Sequence, residues 1–433
     1  MRRKTLRGAW LLLLICGLLV SAVAVGCAKK EGAPGGQQAV KEIVIGYNAP
    51  LSGPAAEYGR DVTNGVEMAI NEINEAGGIT VGNQKYKFRL EKLDHRADPN
   101  QAVANARRLR EQFNARIIFD PVFTCIAPQL KINEEKGNEF LMMAYTSTPL
   151  VDKTGNKLMV SITPPFLGYL YGFVDAAWEE GWRKIGMVVT AGAYGEEWRK
   201  LFKEAWEKKG GTITADQPAN YYTQTDFSAQ LTAVLATKPD ALLIGGPSGP
   251  TALVIEQARN LGFKGGFILV DQAKMDYIID VSLKGKMDLM GTTVGVGPFT
   301  NYPSEGAQSF VKKYREKYNV YPTWEAALNY TAMHALAKAM VKAGTVEDVY
   351  AIRAAFEQVL PMERNKYPTD CVGILKAGRM FIPNTVGIIR NGQYTSPRTL
   401  VWWAKTEDEF KKFKEMMNAP DLAKWFPIKE YLE

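Results

Sequence analysis

The chain has very little of the residue that most often carries acid–base and metal chemistry at neutral pH. Of its 433 residues only two, His95 and His334, are histidine. That scarcity leaves little for a histidine-based acid–base centre or a multi-histidine metal site. His334 falls in the middle of a helical pattern, where packing explains it. Cysteine is scarce too, at four residues, and beyond Cys27 only Cys125 and Cys371 remain. They are far apart in sequence, and an exported chain permits a disulfide between them without demonstrating one. A phosphate-cradling G-x-x-x-x-G-K-[ST] loop is missing. The run Gly246 to Pro250 reads G-P-S-G-P and fails the G-x-S-x-G pattern of a hydrolase nucleophile elbow. These absences argue against an enzyme, and neither a cofactor nor a metal is expected.

One long apolar run is present, at the start. Arg2, Arg3, Lys4 and Arg7 precede an uncharged stretch from Trp10 to Val25. This is the composition of a secretory signal over residues 1–26. Its alternative, an uncleaved anchor, needs about 20 apolar residues, more than this run supplies. The run closes in Ala24-Val25-Gly26-Cys27, which looks like a lipoprotein cleavage box with Ala24 where leucine is usual, and makes Cys27 the candidate lipidated residue. Residues 27–40, rich in Gly, Ala, Lys and Gln, read as a flexible tether. Losing residues 1–26 removes four of 53 basic residues and leaves 49 against 46 acidic ones, a net charge near +3. No nucleic acid or other polyanion is implied as a partner. The predicted location is outside the cytoplasm, periplasmic or at the cell surface, held by a lipid anchor.

From residue 41 the chain alternates short apolar runs with amphipathic segments. Lys41 to Ala49 predicts a strand; Val62, Val66, Ile70 and Ile73 recur at helical spacing until Ala76-Gly77-Gly78. Tyr86 to Asp94 predicts the next strand, and Asp98-Pro99 is an N-cap with a first-turn proline for a helix through Gln112. Further strands end at Asp120 and Ala144. After Pro164-Pro165 the rhythm resumes from Arg183 and reaches a strand, Phe267 to Val270, that delivers Asp271. Alternation at this length implies right-handed crossovers and parallel sheets, here in two similar lobes. Helices are predicted over 305–318, 324–343, 346–360 and 407–417. Asn391-Gly392 between two extended runs marks a hairpin with a tight type I′ turn.

Two adjacent loops stand out. The strands ending at Asp120 and Ala144 open into segments holding Thr124 and Thr146-Ser147-Thr148. In open α/β sheets ligands sit just beyond the carboxyl ends of the strands, which is where these hydroxyls fall. The competing explanation is that they cap the turns and helices that follow.

The phrase Ala49 to Gly59 (A-P-L-S-G-P-A-A-E-Y-G), then Gly65 to Asn74, Ala76 to Ile79 and Asp98 to Val103, resembles the opening of periplasmic branched-chain amino-acid-binding proteins. The resemblance covers most of residues 41–400. It implies an α/β type I periplasmic binding protein fold, two Rossmann-like lobes with a three-stranded hinge, the late helices returning to the first lobe. The lobes would comprise 41–165 with about 298–345, and 166–297 with about 346–433. Position by position, the serine that grips the ligand carboxylate falls on Thr124, with Cys125 beside it and a helix N-terminus near Pro128. The small-residue triplet falls on Thr146, Ser147 and Thr148, the Thr146 carbonyl and Thr148 hydroxyl taking hydrogens from the ligand ammonium. The second-lobe acid falls on Asp271, and Tyr58, Tyr194 and Tyr330 fall on positions that wall the pocket. Pro247 and Phe123 depart from the family pattern, so the side-chain pocket is not carried over.

The implied function is that of a monomeric substrate-binding protein of an ABC importer. It would capture an amino acid, branched-chain or otherwise apolar or aromatic, by lobe closure and deliver it to a membrane permease. The alternatives are the same fold binding an aromatic carboxylate, amide or urea-like solute, and a solute sensor for a signalling partner.

Overall fold

The computed structural model describes residues 39–417 and 423–432. The expected export signal, Cys27 and nearly all of the tether lie outside the described residues. The first sheet is built from β1 (Lys41–Ala49), β2 (Ile79–Val81), β3 (Gln84–Asp94), β4 (Ile117–Asp120), β5 (Leu141–Ala144) and β6 (Met159–Ser161), in the order β2-β3-β1-β4-β5-β6. All neighbours are parallel except the β2–β3 pair. Every residue of β4 and β5 is buried, as continuous apolar runs covered on both faces must be.

The second sheet contains β7 (Lys184–Val189), β8 (Thr212–Asp216), β9 (Ala241–Gly245), β10 (Gly266–Leu269) and β11 (Thr293–Val296), in the order β8-β7-β9-β10-β11. The two parallel cores therefore share one strand order, second-first-third-fourth-fifth. In each, the direction of winding reverses beside the first strand, between β1 and β4 and between β7 and β9. A crevice opens beyond the carboxyl ends at such a point. The sheet continues through β12 (Asn384–Arg390), antiparallel to β11, with β13 (Gln393–Tyr394), β14 (Arg398–Val401) and β15 (Ala423–Trp425). Asn391 and Gly392 turn the hairpin with φ of 51° and 72°, the left-handed pair that a type I′ turn requires.

Helices cover both sheets: α1 (Ala56–Glu75), α2 (Pro99–Phe113), α3 (Phe123–Gln129), α4 (Phe166–Glu179), α5 (Ala193–Lys208), α6 (Ser228–Leu235) and α7 (Ser248–Asn260). After the short α8 (Met275–Tyr277) come α9 (Glu305–Tyr318), α10 (Trp324–Ala343), α11 (Val349–Val359) and α12 (Glu407–Met417). Asp98 caps α2, its Oδ1 accepting from Asn100 N at 2.7 Å and Gln101 N at 2.9 Å. The late helix α10 returns to the first half and packs on α1. The approach is close enough that a Cβ on Gly65 would meet the Ala326 carbonyl at 2.1 Å. The buried Tyr47 hydroxyl fastens β1 to α10 by donating to Asn329 Oδ1 at 2.7 Å.

Helix α11 packs against α10 and β5, and Arg353 Nε donates to the Met159 carbonyl at 2.7 Å. It thus sits with the first sheet, whereas the sequence reading places residues from about 346 with the second. Its apolar face can be buried only against an existing layer, and α10 offers one. Three chain segments run between the halves and hold to each other. Ser161 bridges Arg379, Asn384 Nδ2 donates to the Pro165 carbonyl at 3.0 Å, and Gly297 N donates to the Thr385 carbonyl at 3.0 Å. No helix among the described residues is long and apolar enough to cross a membrane.

Candidate functional site

A cavity lies where the two crevices face each other. Its first-half wall comes from α1 and the loops after β4 and β5: Tyr58, Thr124, Tyr145, Thr146 and Ser147. Its opposite wall comes from the segments after β7 and β10: Thr190, Ala191, Tyr194, Asp271, Gln272 and Lys274. The open space is ≈ 50 Å³. One water takes about 10–15 Å³ on this measure, so the room suits a small solute.

The halves meet around it. Gly249 N at the start of α7 donates to Glu57 Oε1 at 2.8 Å, the Thr148 hydroxyl donates to Glu197, and Arg60 Nη2 donates to the Tyr277 hydroxyl at 3.3 Å. Burial pushes the Glu57 and Glu197 carboxyls above their usual range. At the rim Gly192 has a φ of 92°, and a Cβ there would stand 3.0 Å from Thr124 Oγ1. Glycine allows both the backbone and the approach.

Asp271 is the centre of the second wall. Trp198 Nε1 donates to its Oδ1 at 2.8 Å, and the Tyr194 hydroxyl donates to the same oxygen. Trp198 is itself fixed by stacking on Phe166, with ring centroids 4.8 Å apart. Among the described residues no protein donor is recorded on Oδ2, both bonds falling on Oδ1. Burial drives the phenols of Tyr58, Tyr145 and Tyr194 well above their usual pKa, so they are neutral walls, and Tyr58 and Tyr194 donate to the Pro121 carbonyl and to Asp271.

Of the residues singled out in the sequence, Tyr58, Thr124, Thr146, Ser147, Tyr194 and Asp271 line the cavity, and Cys125, Thr148 and Tyr330 do not. Cys125 turns into the first-half core, its Sγ 3.8 Å from His95 Nδ1, and burial raises its thiol pKa far above the ordinary value. Both Cys125 and Cys371 are free and buried. The Thr148 hydroxyl is taken by Glu197, and it also accepts weakly from Leu150 N at 3.4 Å as the cap of the following turn. Tyr330 lies six residues along α10 from Trp324, whereas Leu328, one turn from Trp324, faces the cavity with it. The Tyr330 ring packs on Phe310 and His334, with centroids at 5.1 Å and 4.6 Å, and its hydroxyl donates to Glu72.

Two backbone expectations also change. The Thr146 carbonyl already accepts from Arg379 Nη1 at 3.1 Å and Ser161 Oγ at 3.0 Å, which uses both lone pairs and leaves none for a ligand ammonium. The helix after β4 begins at Phe123, so Pro128 lies near its end and not at its N-terminus. Arg379 is fully buried and holds the whole 146–148 loop, since it also reaches the Thr148 and Thr163 carbonyls at 2.8 Å and 3.0 Å and Asp152 at 2.8 Å. Nothing in the local sequence marks this arginine, 231 positions from the loop it positions.

Sequence reasoning also missed Tyr145, Thr163, Tyr169, Tyr222, Gln272, Lys274 and Trp324. Gln272 and Lys274 follow Asp271 on the same strand-end loop, and the carboxyl-end rule applied three residues further would have found both. Lys274 is 6 % exposed; its Nζ donates to the Asp271 carbonyl and lies 3.0 Å from Glu325 Oε1. Among the described residues no group of three or more His, Cys, Asp and Glu side chains is gathered to hold a metal ion.

Two doubly wound halves, three linking segments and a polar cavity between facing strand ends define a two-lobed solute-binding protein of the type I periplasmic binding fold. Residues 42–369 match the periplasmic binding protein family, and the chain belongs to that family. Individual relatives named as branched-chain amino-acid-binding proteins match over part of their length. It is 28 % identical over 329 residues to the Leu/Ile/Val-binding protein BraC3 of Rhizobium johnstonii, covering 73 % of this chain and 83 % of that one. Against the Leu/Ile/Val-binding protein of Escherichia coli K12 it is 27 % identical over 235 residues, covering 53 % of this chain and 61 % of that one.

Solved structures of the same fold include the leucine-binding protein LivK of Thermotoga maritima, with TM-score 0.67, 24 % identity, and coverage of 82 % of this chain and 97 % of that one. A second, a solute-binding protein of R. palustris in complex with benzoate, has TM-score 0.68, 17 % identity, and coverage of 82 % and 95 %. At these identities the likeness is one of fold.

Proposed function

We propose that this protein captures an amino acid in the cavity between its lobes and delivers it to the permease of an ABC importer. The observation that carries the reading is the pairing of opposite walls. Thr124, Thr146 and Ser147 offer hydroxyls to a carboxylate on one side, and Asp271 offers an unpaired oxygen to an ammonium on the other. A zwitterion touching both walls is bound more tightly by the closed form than by the open one, which is what closure requires. In this reading the export signal and a lipid on Cys27 keep the monomer at the membrane beside its permease. The names of the Leu/Ile/Val-binding relatives support an amino acid as the ligand class.

Lys274 favours a second reading. Lys274 lines the cavity together with several tyrosines, and its cation would suit an aromatic carboxylate with no cation of its own. Thermal-shift measurements against amino acids, aromatic acids and amides separate the two. Ligand at 100 times its dissociation constant stabilises the native state by about 2.7 kcal/mol. A shift with amino acids supports the zwitterion clamp; a shift confined to acids or amides refutes it.

A further inference from the structure

The wall after β10 carries more polar chemistry than an aliphatic side chain can use. Gln272 and Lys274 both line the cavity and are 9 % and 6 % exposed. Gln272 Nε2 donates to the Tyr222 hydroxyl at 2.8 Å, while Gln272 Oε1 is buried with no donor among the described residues. Lys274 Nζ donates to the Asp271 carbonyl and is ion-paired with Glu325 Oε1 at 3.0 Å, which leaves its three-donor ammonium with hydrogen-bonding capacity to spare. An unmet acceptor and a donor with spare capacity thus stand two residues apart on a single loop.

Each ligand type can be tried against that pair. A leucine or isoleucine side chain satisfies neither group, and an unmet buried acceptor is costly. A carboxylate satisfies Lys274 and opposes the Gln272 oxygen; an ammonium does the reverse. A hydroxyl or carboxamide donates and accepts at once, and satisfies both. The flat faces of Tyr58, Tyr145, Tyr169 and Trp324 around the same space add contact without adding charge.

We infer that the cavity selects an amino acid whose far end carries a neutral group that both donates and accepts a hydrogen bond, a hydroxyl or a carboxamide, with Gln272 and Lys274 as specificity-determining residues. This rests on the proposed amino-acid reading and departs from the aliphatic preference that the relatives' names carry.

The test is titration calorimetry on the purified protein, stripped of any carried solute by unfolding, dialysis and refolding. The probes are matched pairs: tyrosine and phenylalanine, glutamine and methionine, threonine and valine, with leucine, glutamate and lysine as controls. The expected result is that the polar member of one pair binds at least 100-fold more tightly than its apolar partner, because a site built for a hydrogen bond rejects the analogue lacking it. Gln272→Leu should then cut that ratio to below tenfold. Leucine, glutamate or lysine binding as tightly as the best polar probe overturns the inference and leaves the amino-acid reading standing. A ratio unmoved by Gln272→Leu overturns the assignment to this wall. Binding of benzoate with no binding of any amino acid overturns the amino-acid reading itself, and the inference with it.

Discussion

Replacing Asp271 by asparagine removes one charge from the cavity while keeping its shape. The amide oxygen can still accept from Trp198 Nε1, 2.8 Å from Oδ1, and from the Tyr194 hydroxyl, so the wall itself should stand. What is lost is the pairing of a ligand ammonium with Oδ2, the oxygen that no donor reaches among the described residues. Removing one partner of a buried ion pair costs about 3–5 kcal/mol. At about 1.4 kcal/mol per tenfold, the dissociation constant should rise by two to three and a half orders of magnitude. Calorimetry on both proteins, with the amino acid identified by the panel and with its desamino analogue, reads the effect directly. The desamino analogue should bind Asp271→Asn no worse than it binds the unaltered protein, since it has no cation to lose. An amino-acid affinity reduced less than threefold would refute the ammonium assignment.

Two further perturbations test the scaffold. Arg379→Met should destabilise the fold by about 3–5 kcal/mol, because it leaves Asp152 buried without its partner and strips donors from the Thr146, Thr148 and Thr163 carbonyls; an unchanged urea midpoint would contradict this. His334, beside Glu72 and near Lys313 and Lys338, is pushed by burial from 6.5 down to about 4. A depressed folded pKa means that the unfolded chain takes the proton first as pH falls. The stability present above pH 6.5 is therefore lost progressively toward pH 4. Over that interval, at about 1.4 kcal/mol per unit, the loss is about 3 kcal/mol, and His334→Gln should flatten this part of the stability–pH curve.

Much of the architecture was legible because it rests on local physics. The helices over 305–318, 324–343 and 407–417 are found at the predicted residues, and the first two stop at left-handed residues, Asn319 and Gly344. Asn391-Gly392 selected its turn, and Asp98 its cap. Six of the nine ligand residues named from the sequence reach the cavity, most of them because a strand's carboxyl end puts them there. The three that do not, Cys125, Thr148 and Tyr330, depend on which way a helix or turn faces, and that is settled by packing.

The sequence by itself therefore determined much of the alternation of strands and helices, the two-lobed plan and several of the loops that meet at the cavity, all consequences of periodicity and of short-range turn and cap chemistry; the short β2, β6 and β11 and the helix α4 carried no such signal. The tertiary structure alone decided which of those loops' atoms remain available. Arg379 occupies the Thr146 carbonyl from 233 residues away, Glu197 takes the Thr148 hydroxyl from the facing lobe, and Trp198 with Tyr194 leaves one oxygen of Asp271 open. Hydrogen-bond capacity is finite at each atom, and partners distant in sequence claim it only once the lobes have packed.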